Sequence, residues 1–362
     1  MKKKLFALMC VATLATTAFV GCGSNNDTAS TTQTTEEAAP VAEKIDVSNA
    51  PKAAEGELLT GIGTSTSIAE SRDASADAEG TAQCDATIAA VTVDSNGAVV
   101  ECVIDVAQTK IGISADGKIT SDLDAEYATK KELGDEYGMK SFSTIGKEWY
   151  EQADAFAAWT VGKTAQEISD MGMEQGLATD EDLVASCSIH VTDFQTAVLK
   201  AMNNAVAGGA KEGDKLGLGI TTNISDSIEA SADADGTAVA YTTMSALTVN
   251  DEGVITSSLI DAVQGKINFD AKGVITADKN ATIKTKTELG DDYGMRKASA
   301  IGKEWNEQAA AYAEYTVGKT LEDIEGIAVE QGLATDEDLA ASVTIHITDF
   351  NTVVAKAVAS AQ

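Results

Sequence analysis

Strand-like segments come first along the folded part of this sequence, and helical periodicity follows them. Ala82–Val93 and Ala98–Val106 are rich in Val, Ile, Thr and Ala, and Asp94-Ser95-Asn96-Gly97 lies between them. Asn-Gly between two such runs is a strong signal for a β-hairpin. From Thr144 onward, apolar residues recur at the spacing of one helix face, namely Ile145, Trp149, Ala153, Phe156 and Trp159. The pattern predicts an α+β unit in which antiparallel hairpins precede helices.

The same unit occurs twice. Gln175–Leu183 and Gln331–Leu339 both read QGLATDEDL, and positions 175 and 331 differ by 156. The same offset aligns further pairs without a gap, including Gly61 with Gly217, Trp149 with Trp305 and Phe194 with Phe350. A period of this length indicates a duplicated domain. We predict two tandem copies of a small domain, at residues 58–206 and 214–362, joined by a linker at 207–213.

Turn and capping residues predict the remaining elements of each copy. Asp116-Gly117 marks a second turn, a helix begins at Thr164, and a short helix covers Thr179–Val184. A brief strand is predicted at Ser186–Val191. The last helix then begins at Thr192, where the sequence resembles a capping box.

The N-terminal sequence resembles a targeting signal. Three lysines, Lys2 to Lys4, precede an uncharged, mostly apolar run from Leu5 to Val20, which is short for a membrane span. The run ends Phe19-Val20-Gly21-Cys22, which resembles a bacterial lipobox. We predict a lipoprotein signal peptide at 1–21, lipidation of Cys22, and a flexible Ser/Thr/Glu/Ala tether at 22–57. The mature chain would be anchored in the cell membrane and face outside the cytoplasm; a secretory signal with a chance cysteine is the alternative.

Charge and composition exclude several classes of function. The chain has 26 basic and 57 acidic side chains and a formal net charge of -31, so nucleic-acid binding is excluded. Two histidines exclude a histidine-rich metal cage. Cys84, Cys102 and Cys187 occur only in the first copy, which indicates neither a metal site nor a shared disulfide framework. No catalytic constellation occurs in both copies, so we do not expect an enzyme acting on its own.

The segment that enters the last predicted strand carries the candidate chemistry. In the second copy Asp338 is followed six positions later by Thr344, and in the first copy Asp182 is followed by Ser188. This spacing, with the preceding hairpins and the following alanine-rich helix, resembles the FMN-binding domain family of bacterial extracytoplasmic lipoproteins and redox-pump subunits. Related membrane-immunogen lipoproteins share the same outline. The small-Gly-Ala stretch typical of the family is replaced here by Ser342-Val343 and Ser186-Cys187.

The resemblance implies a flavin cofactor. In the family, a separate flavin transferase esterifies the phosphate of FMN to the threonine hydroxyl, which corresponds to Thr344 and, in the first copy, to Ser188. Asp338 and Asp182 would be the nearby acid. Covalent and non-covalent FMN both remain open, since the motif is degenerate in both copies.

Two further pairs of residues are candidates for contact with a flavin. Strand alternation would place His346 beside Thr344, and His190 beside Ser188. Tyr293 and Tyr137 lie in the glycine-containing stretches 288–295 and 132–139, and an aromatic ring can stack on a flat ligand.

Each candidate residue also has a purely structural interpretation. The aspartates would be N-terminal helix charges, Thr344 a strand former, the histidines surface residues and the tyrosines packing residues. The sequence therefore leaves two functions open. One is a surface-anchored electron carrier with two FMN-binding domains, which would exchange electrons with redox partners. The other is a cofactor-free surface lipoprotein that acts as a ligand-binding, adhesive or structural module.

Overall fold

The strands and helices of the chain form an α+β fold. The computed structural model describes residues 44–361. The predicted signal peptide at 1–21, the lipidation site at Cys22 and most of the predicted tether lie outside these residues. Among residues 44–361, no helix is both long and apolar enough to cross a bilayer.

The elements of the first half begin with three long strands. In chain order, the strands and α-helices of this half are β1 (Glu57–Ser67), β2 (Gly80–Val93), β3 (Val99–Ile113), α1 (Lys130–Leu133), α2 (Trp149–Thr160), α3 (Ala165–Ser169), β4 (Met173–Glu174), β5 (Leu177–Ala178), α4 (Glu181–Val184) and α5 (Thr192–Asn203). The Asp94–Gly97 turn joins β2 to β3, and the side chain of Asp94 accepts the amides of Asn96 and Ala98. The predicted hairpin is thus confirmed.

The second half repeats this order after one additional strand. Its elements are β6 (Val206–Lys211), β7 (Lys215–Asn223), β8 (Gly236–Val249), β9 (Ile255–Phe269), α6 (Lys286–Leu289), α7 (Trp305–Thr316), α8 (Leu321–Glu325), β10 (Val329–Glu330), β11 (Leu333–Ala334), α9 (Glu337–Ala340) and α10 (Thr348–Ser360). Every element from β2 to α4 has its equivalent 156 positions later, from β8 to α9.

Strand alternation arranges these elements in four layers. Neighbouring side chains of a strand point to opposite faces of the sheet. In β2, Ala89 packs with aromatic side chains of α2 and α5, whereas Ile88 packs with strands of the second half. In β8, Leu247 packs with α7 and α10, whereas Ala246 faces the first half. The order of layers is therefore helices, sheet, sheet, helices.

The shared core changes two predictions of domain organisation. Residues 44–361 belong to one compact unit, because the two sheets bury one face of each against the other. Most of the segment predicted as a linker, 207–213, belongs to β6, which pairs with β1 at the edge of the first sheet. The predicted tether also ends earlier than residue 57. Ile45 and Val47 pack against the first core cluster, and the Asp46 carbonyl accepts the side-chain amide of Asn203.

Contacts between the halves occur in pairs related by the same offset. Lys200 of α5 pairs with Glu288 of α6 at 2.9 Å, and Lys356 of α10 pairs with Glu132 of α1 at 2.6 Å. Two backbone hydrogen bonds repeat this relation. The Ala74 amide donates to the Gly273 carbonyl at 2.9 Å, and the Ala230 amide donates to the Gly117 carbonyl at 3.0 Å. Matching contacts of this kind define an approximate two-fold relation between the halves.

Two further predictions concern the segment before the last helix of each copy. The predicted strand Ser186–Val191 does not form; a turn and irregular backbone occupy it, with one isolated bridge between His190 and Leu177. The helix does begin at Thr192, but its capping position is Val191, whose side chain makes no capping hydrogen bond. The predicted capping box is therefore absent. The equivalent segment before α10 is also irregular.

Glycines allow the last helix of each half to lie directly on the sheet. A Cβ atom at Gly217 of β7 would overlap the carbonyl group of Ala357 in α10, and one at Gly61 of β1 would overlap that of Ala201 in α5. These neighbours are backbone atoms and cannot rotate away. The absence of a side chain therefore sets the distance between strand and helix.

We expect Gly217→Ala to lower the free energy of unfolding by about 2–3 kcal/mol, because the added methyl group overpacks this contact. Urea unfolding of the full chain would measure the change. Gly326→Ala is the matched control, since the nearest atom to its added Cβ would be 3.2 Å away and its φ is negative. Equal, small effects in both variants would contradict the close packing.

Candidate functional site

The proposed attachment residues, Thr344 and Ser188, are tied to a helix of their own half. The amide of Thr344 donates to Oε1 of Gln308 at 2.8 Å, and its hydroxyl lies 3.2 Å from the same oxygen. Ser188 makes the equivalent bonds to Gln152 at 2.9 and 3.2 Å. Both residues are half-buried. Their hydroxyls thus have an internal hydrogen-bond partner.

Gln308 is a buried connector. Its side chain is fully buried, and its Nε2 donates to Oγ of Ser299 at 3.4 Å and to the carbonyl of Lys303 at 3.3 Å. It therefore joins the loop before α7 to the segment that carries Thr344. The sequence analysis missed this residue, because one glutamine in a helical pattern carries no signal of burial.

The two acids of the predicted motif are exposed residues of short helices. Asp338 lies in the first turn of α9 and Asp182 in the first turn of α4. Asp336 caps α9 by accepting the Leu339 amide, and Asp180 caps α4 by accepting the amide of Asp182. This arrangement agrees with the structural interpretation, in which acids favour the N-terminus of a helix.

The histidines lie beside tight hairpin turns. Because the predicted strand is absent, the alternation that was to place His346 beside Thr344 does not apply. His346 is exposed and packs against the turn between β10 and β11, where a Cβ at Gly332 would lie 2.9 Å from its ring. Gln331 and Gly332 both have positive φ, 51° and 84°, as in a two-residue hairpin turn. His190 occupies the equivalent place at Gly176.

Tyr293 belongs to an aromatic cage around a buried lysine. The Nζ of Lys286 lies 4.7 Å from the centroid of Tyr293, 4.3 Å from Tyr241 and 4.8 Å from Trp305. It also donates a hydrogen bond to the Tyr241 hydroxyl at 2.7 Å. Lys286 is only 4% exposed. Aromatic faces attract an ammonium group, and this contact is strongest where water is excluded.

Burial shifts the pKa of Lys286 and of two acids near it. Burial lowers the pKa of Lys286 to about 7; the charge of Lys266 adds to this shift, and Asp226, Asp261 and Asp349 oppose it. Burial also raises the pKa of Asp261 to about 6, although Asp261 accepts the amides of Ala262 and Thr287. Burial raises the pKa of Asp349 above its usual value, and Asn223, His346 and Lys286 oppose this shift. Asp349 thus interacts electrostatically with both His346 and the caged Lys286.

A cleft of about 420 Å³ opens next to this cage. Its wall includes Gln264, Lys266, Ile283, Lys284, Lys286 and Tyr293. Lys266 and Lys284 are exposed, and neither forms an ion pair within residues 44–361. Three lysines and one tyrosine therefore line a concave surface on a chain whose net charge is -31. Such a surface attracts anions with an aromatic part.

The first half has a more open version of the cage. Nζ of Lys130 lies 5.0 Å from the centroid of Tyr137 and 5.3 Å from that of Trp149. Asp85 stands at the position equivalent to Tyr241. Lys130 is half-buried, so the enclosed lysine is a feature of the second half.

The three cysteines within residues 44–361 are unpaired and internal. Cys84 and Cys187 are buried, Cys102 is half-buried, and none of the three forms a disulfide. Burial raises the pKa of the Cys84 and Cys102 thiols to about 12. Across the part of the chain that the structure describes, no three His, Cys, Asp or Glu side chains are grouped to hold a metal ion.

Comparison with known proteins gives one partial similarity. No family model and no solved structure matches the chain. A chlorophenol reductase of Desulfitobacterium hafniense is 33% identical over 90 residues, which cover 23% of this chain and 28% of that protein. The chain thus matches less than a third of the length of this curated relative.

We expect the double variant Asp105→Asn/Asp261→Asn to change the pH dependence of stability. Burial raises the pKa of both carboxyls to about 6. The folded chain keeps these protons up to about pH 6, whereas the unfolded chain releases them near pH 4. Ionisation of these two buried carboxyls therefore lowers the free energy of unfolding of the wild type progressively between pH 4 and 6, and the full loss is present above pH 6.

The asparagines keep an acceptor and remove the charge, so the double variant should gain stability relative to wild type as pH rises through this range. The gain is on the order of 2–3 kcal/mol per carboxyl. Urea unfolding at pH 4.5 and pH 7.5 measures it. The exposed Asp124→Asn serves as control and should follow the wild type. Parallel curves for double variant and wild type would contradict raised pKa values.

Proposed function

We propose that this chain is a lipid-anchored, extracytoplasmic flavin-binding protein that carries electrons and has no catalytic activity of its own. The observation that carries the proposal is the lysine-lined cleft with Tyr293 in its wall, on an otherwise acidic chain. The resemblance of Asp338–Thr344 to the FMN-binding family and the lipobox-like N-terminus support the same function.

The residues of the cleft fit a non-covalently bound FMN. The volume of about 420 Å³ lies within the range of small-molecule sites. Lys266 and Lys284 would hold the phosphate, while Tyr293 and Ile283 would contact the ring system. Bound FMN supplies reversible electron transfer. The roles of this chain are to bind the phosphate, to orient the ring and, through Lys286, to provide a proton donor or acceptor near neutral pH.

Covalent attachment at Thr344 is less well supported. Esterification replaces the hydroxyl proton, so Thr344 would lose its hydrogen bond to Gln308 and keep only the one from its amide. The exposed position of Asp338 on α9 gives no support for a role beside the hydroxyl. Ser188 has the same internal bond in the first half.

The partial relative favours a redox role. The protein that shares the 90-residue similarity is named a chlorophenol reductase, and a reduction requires an electron donor. The similarity covers too little of that protein to transfer its substrate. We therefore propose electron transfer to a redox partner as the function of this chain.

A cofactor-free surface module is the second candidate. The internal use of both hydroxyls and the exposure of Asp182 and Asp338 favour it, because these residues have structural roles that need no ligand. A chain of this class would bind FMN in neither half.

Titration of the full chain with FMN tests the proposal. We expect binding that quenches flavin fluorescence. Lys266→Gln/Lys284→Gln should weaken it tenfold or more, because two charges that face the phosphate are lost. Lys272→Gln, an exposed lysine outside the cleft wall, is the matched control and should bind as wild type. Unchanged affinity in the double variant would remove the cleft from the flavin site.

Co-expression with a bacterial flavin transferase distinguishes the two modes of attachment. For non-covalent binding, we expect intact mass spectrometry of the denatured chain to show no flavin-sized addition. An addition that disappears in Thr344→Val but persists in Ser188→Ala would instead establish a phosphoester at Thr344. FMN that is neither attached nor retained would favour the cofactor-free module.

A further inference from the structure

We infer that the anionic ligand binds once per chain, in the second half, and that substitutions in the first half have removed the equivalent site. This inference rests on the proposed function, because it concerns the same cleft. It follows from a comparison of the cleft and cage residues with their equivalents 156 positions earlier.

Three of these positions differ in charge between the halves. Lys284 corresponds to Ala128, and Thr282 to Glu126. Tyr241, which closes the cage, corresponds to Asp85. Each difference makes the first half more negative by one charge. The remaining charged positions keep their sign, since Lys266, Lys286 and Asp292 correspond to Lys110, Lys130 and Glu136.

The balance of charge at the two sites is therefore opposite. With its lysines protonated, the cleft of the second half has three positive side chains, Lys266, Lys284 and Lys286, and one negative side chain, Asp292. The first half carries two lysines against Asp85, Glu126 and Glu136. Counted over the cleft wall and the cage together, a phosphate dianion would approach a net positive site in the second half and a net negative site in the first. Close charges of like sign oppose binding.

The hydrogen bonds of Asp85 reinforce the difference. Asp85 accepts from Nε2 of Gln83 at 2.7 Å and from Nε2 of Gln108 at 2.8 Å. Gln108 corresponds to Gln264, which lines the cleft of the second half. In the first half this amide is therefore held by a carboxylate. In the second half Tyr241 instead holds the amine of Lys286.

The enclosed cage is likewise confined to the second half. Lys286 has three rings within 5 Å and a hydroxyl partner, and it is almost fully buried. Lys130 has two rings at 5.0 Å or more and is half-buried. Of these two equivalent lysines, only Lys286 is enclosed, so we expect one redox centre, in the second half.

Isothermal titration of the full chain with FMN measures the stoichiometry, and we expect one FMN per chain. Thr282→Glu/Lys284→Ala, which gives the second half the residues of the first, should abolish binding. The reciprocal Glu126→Thr/Ala128→Lys should raise first-half affinity and, if these charges alone block the site, bring the stoichiometry to two. Lys303→Ala, which lies outside the cleft wall, is the control and should bind one FMN.

The outcomes separate this inference from the proposed function. Two FMN molecules per wild-type chain would overturn the single site and keep the flavin function. Unchanged binding in Thr282→Glu/Lys284→Ala would show that FMN binds outside this cleft and would overturn the inference. No binding to the wild-type chain would overturn both. Thr282, Lys284 and Glu126 are exposed, so circular dichroism should show an unchanged fold in these variants.

Discussion

Face-to-face contact between the two sheets buries apolar side chains that neither half would shield alone. Ile62 and Ile88 of the first half pack against Leu218 and Met244 of the second, and this cluster contains no helix residue. Burial of apolar surface contributes roughly 25 cal/mol for each Å². The opposite face of each sheet is covered by its own helices. The sheet contact therefore makes one folding unit out of two similar sequences.

The same contact positions the candidate site. Lys286 begins α6, and Glu288 of that helix is held twice, by the capping residue Thr285 and by Lys200 of the first half. The caged lysine thus lies two residues from an ion pair that crosses between the halves. Its rings come from β8, from the loop after α6 and from α7. The cage forms only when strand, loop and helix are packed together, so its lysine is buried by tertiary structure and not by local sequence.

This dependence explains what the sequence could and could not predict. Hairpins and helix starts depend on local chemistry. The Asp94–Gly97 turn is found as predicted, and the helix predicted from Thr164 begins at Ala165, with Thr164 as its cap. The Ser186–Val191 segment has strand-like composition, but it makes only one isolated bridge, from His190 to Leu177 of β5, and the amide and hydroxyl of Ser188 bond to Gln152 of α2 instead. β1 was missed because two glycines, Gly61 and Gly63, interrupt its strand-like pattern, and glycine is a poor strand former. Lys286 was missed because lysines are rarely buried, and because two of the rings around it, those of Tyr241 and Trp305, come from distant parts of the sequence.

The presence of two similar halves in one chain also allows them to differ at the candidate site and where they meet each other. Two identical halves on a two-fold axis must tolerate every substitution twice. Once joined in one chain, each half can change separately. The side chain of Cys84 in the first half occupies the space beside Gly265 in the second half, where an added Cβ would overlap Sγ of Cys84. Asp85 lies next to Cys84 on β2, and its equivalent Tyr241 follows Ala240 on β8. The same strands therefore carry both the packing that joins the halves and the substitution that distinguishes their candidate sites.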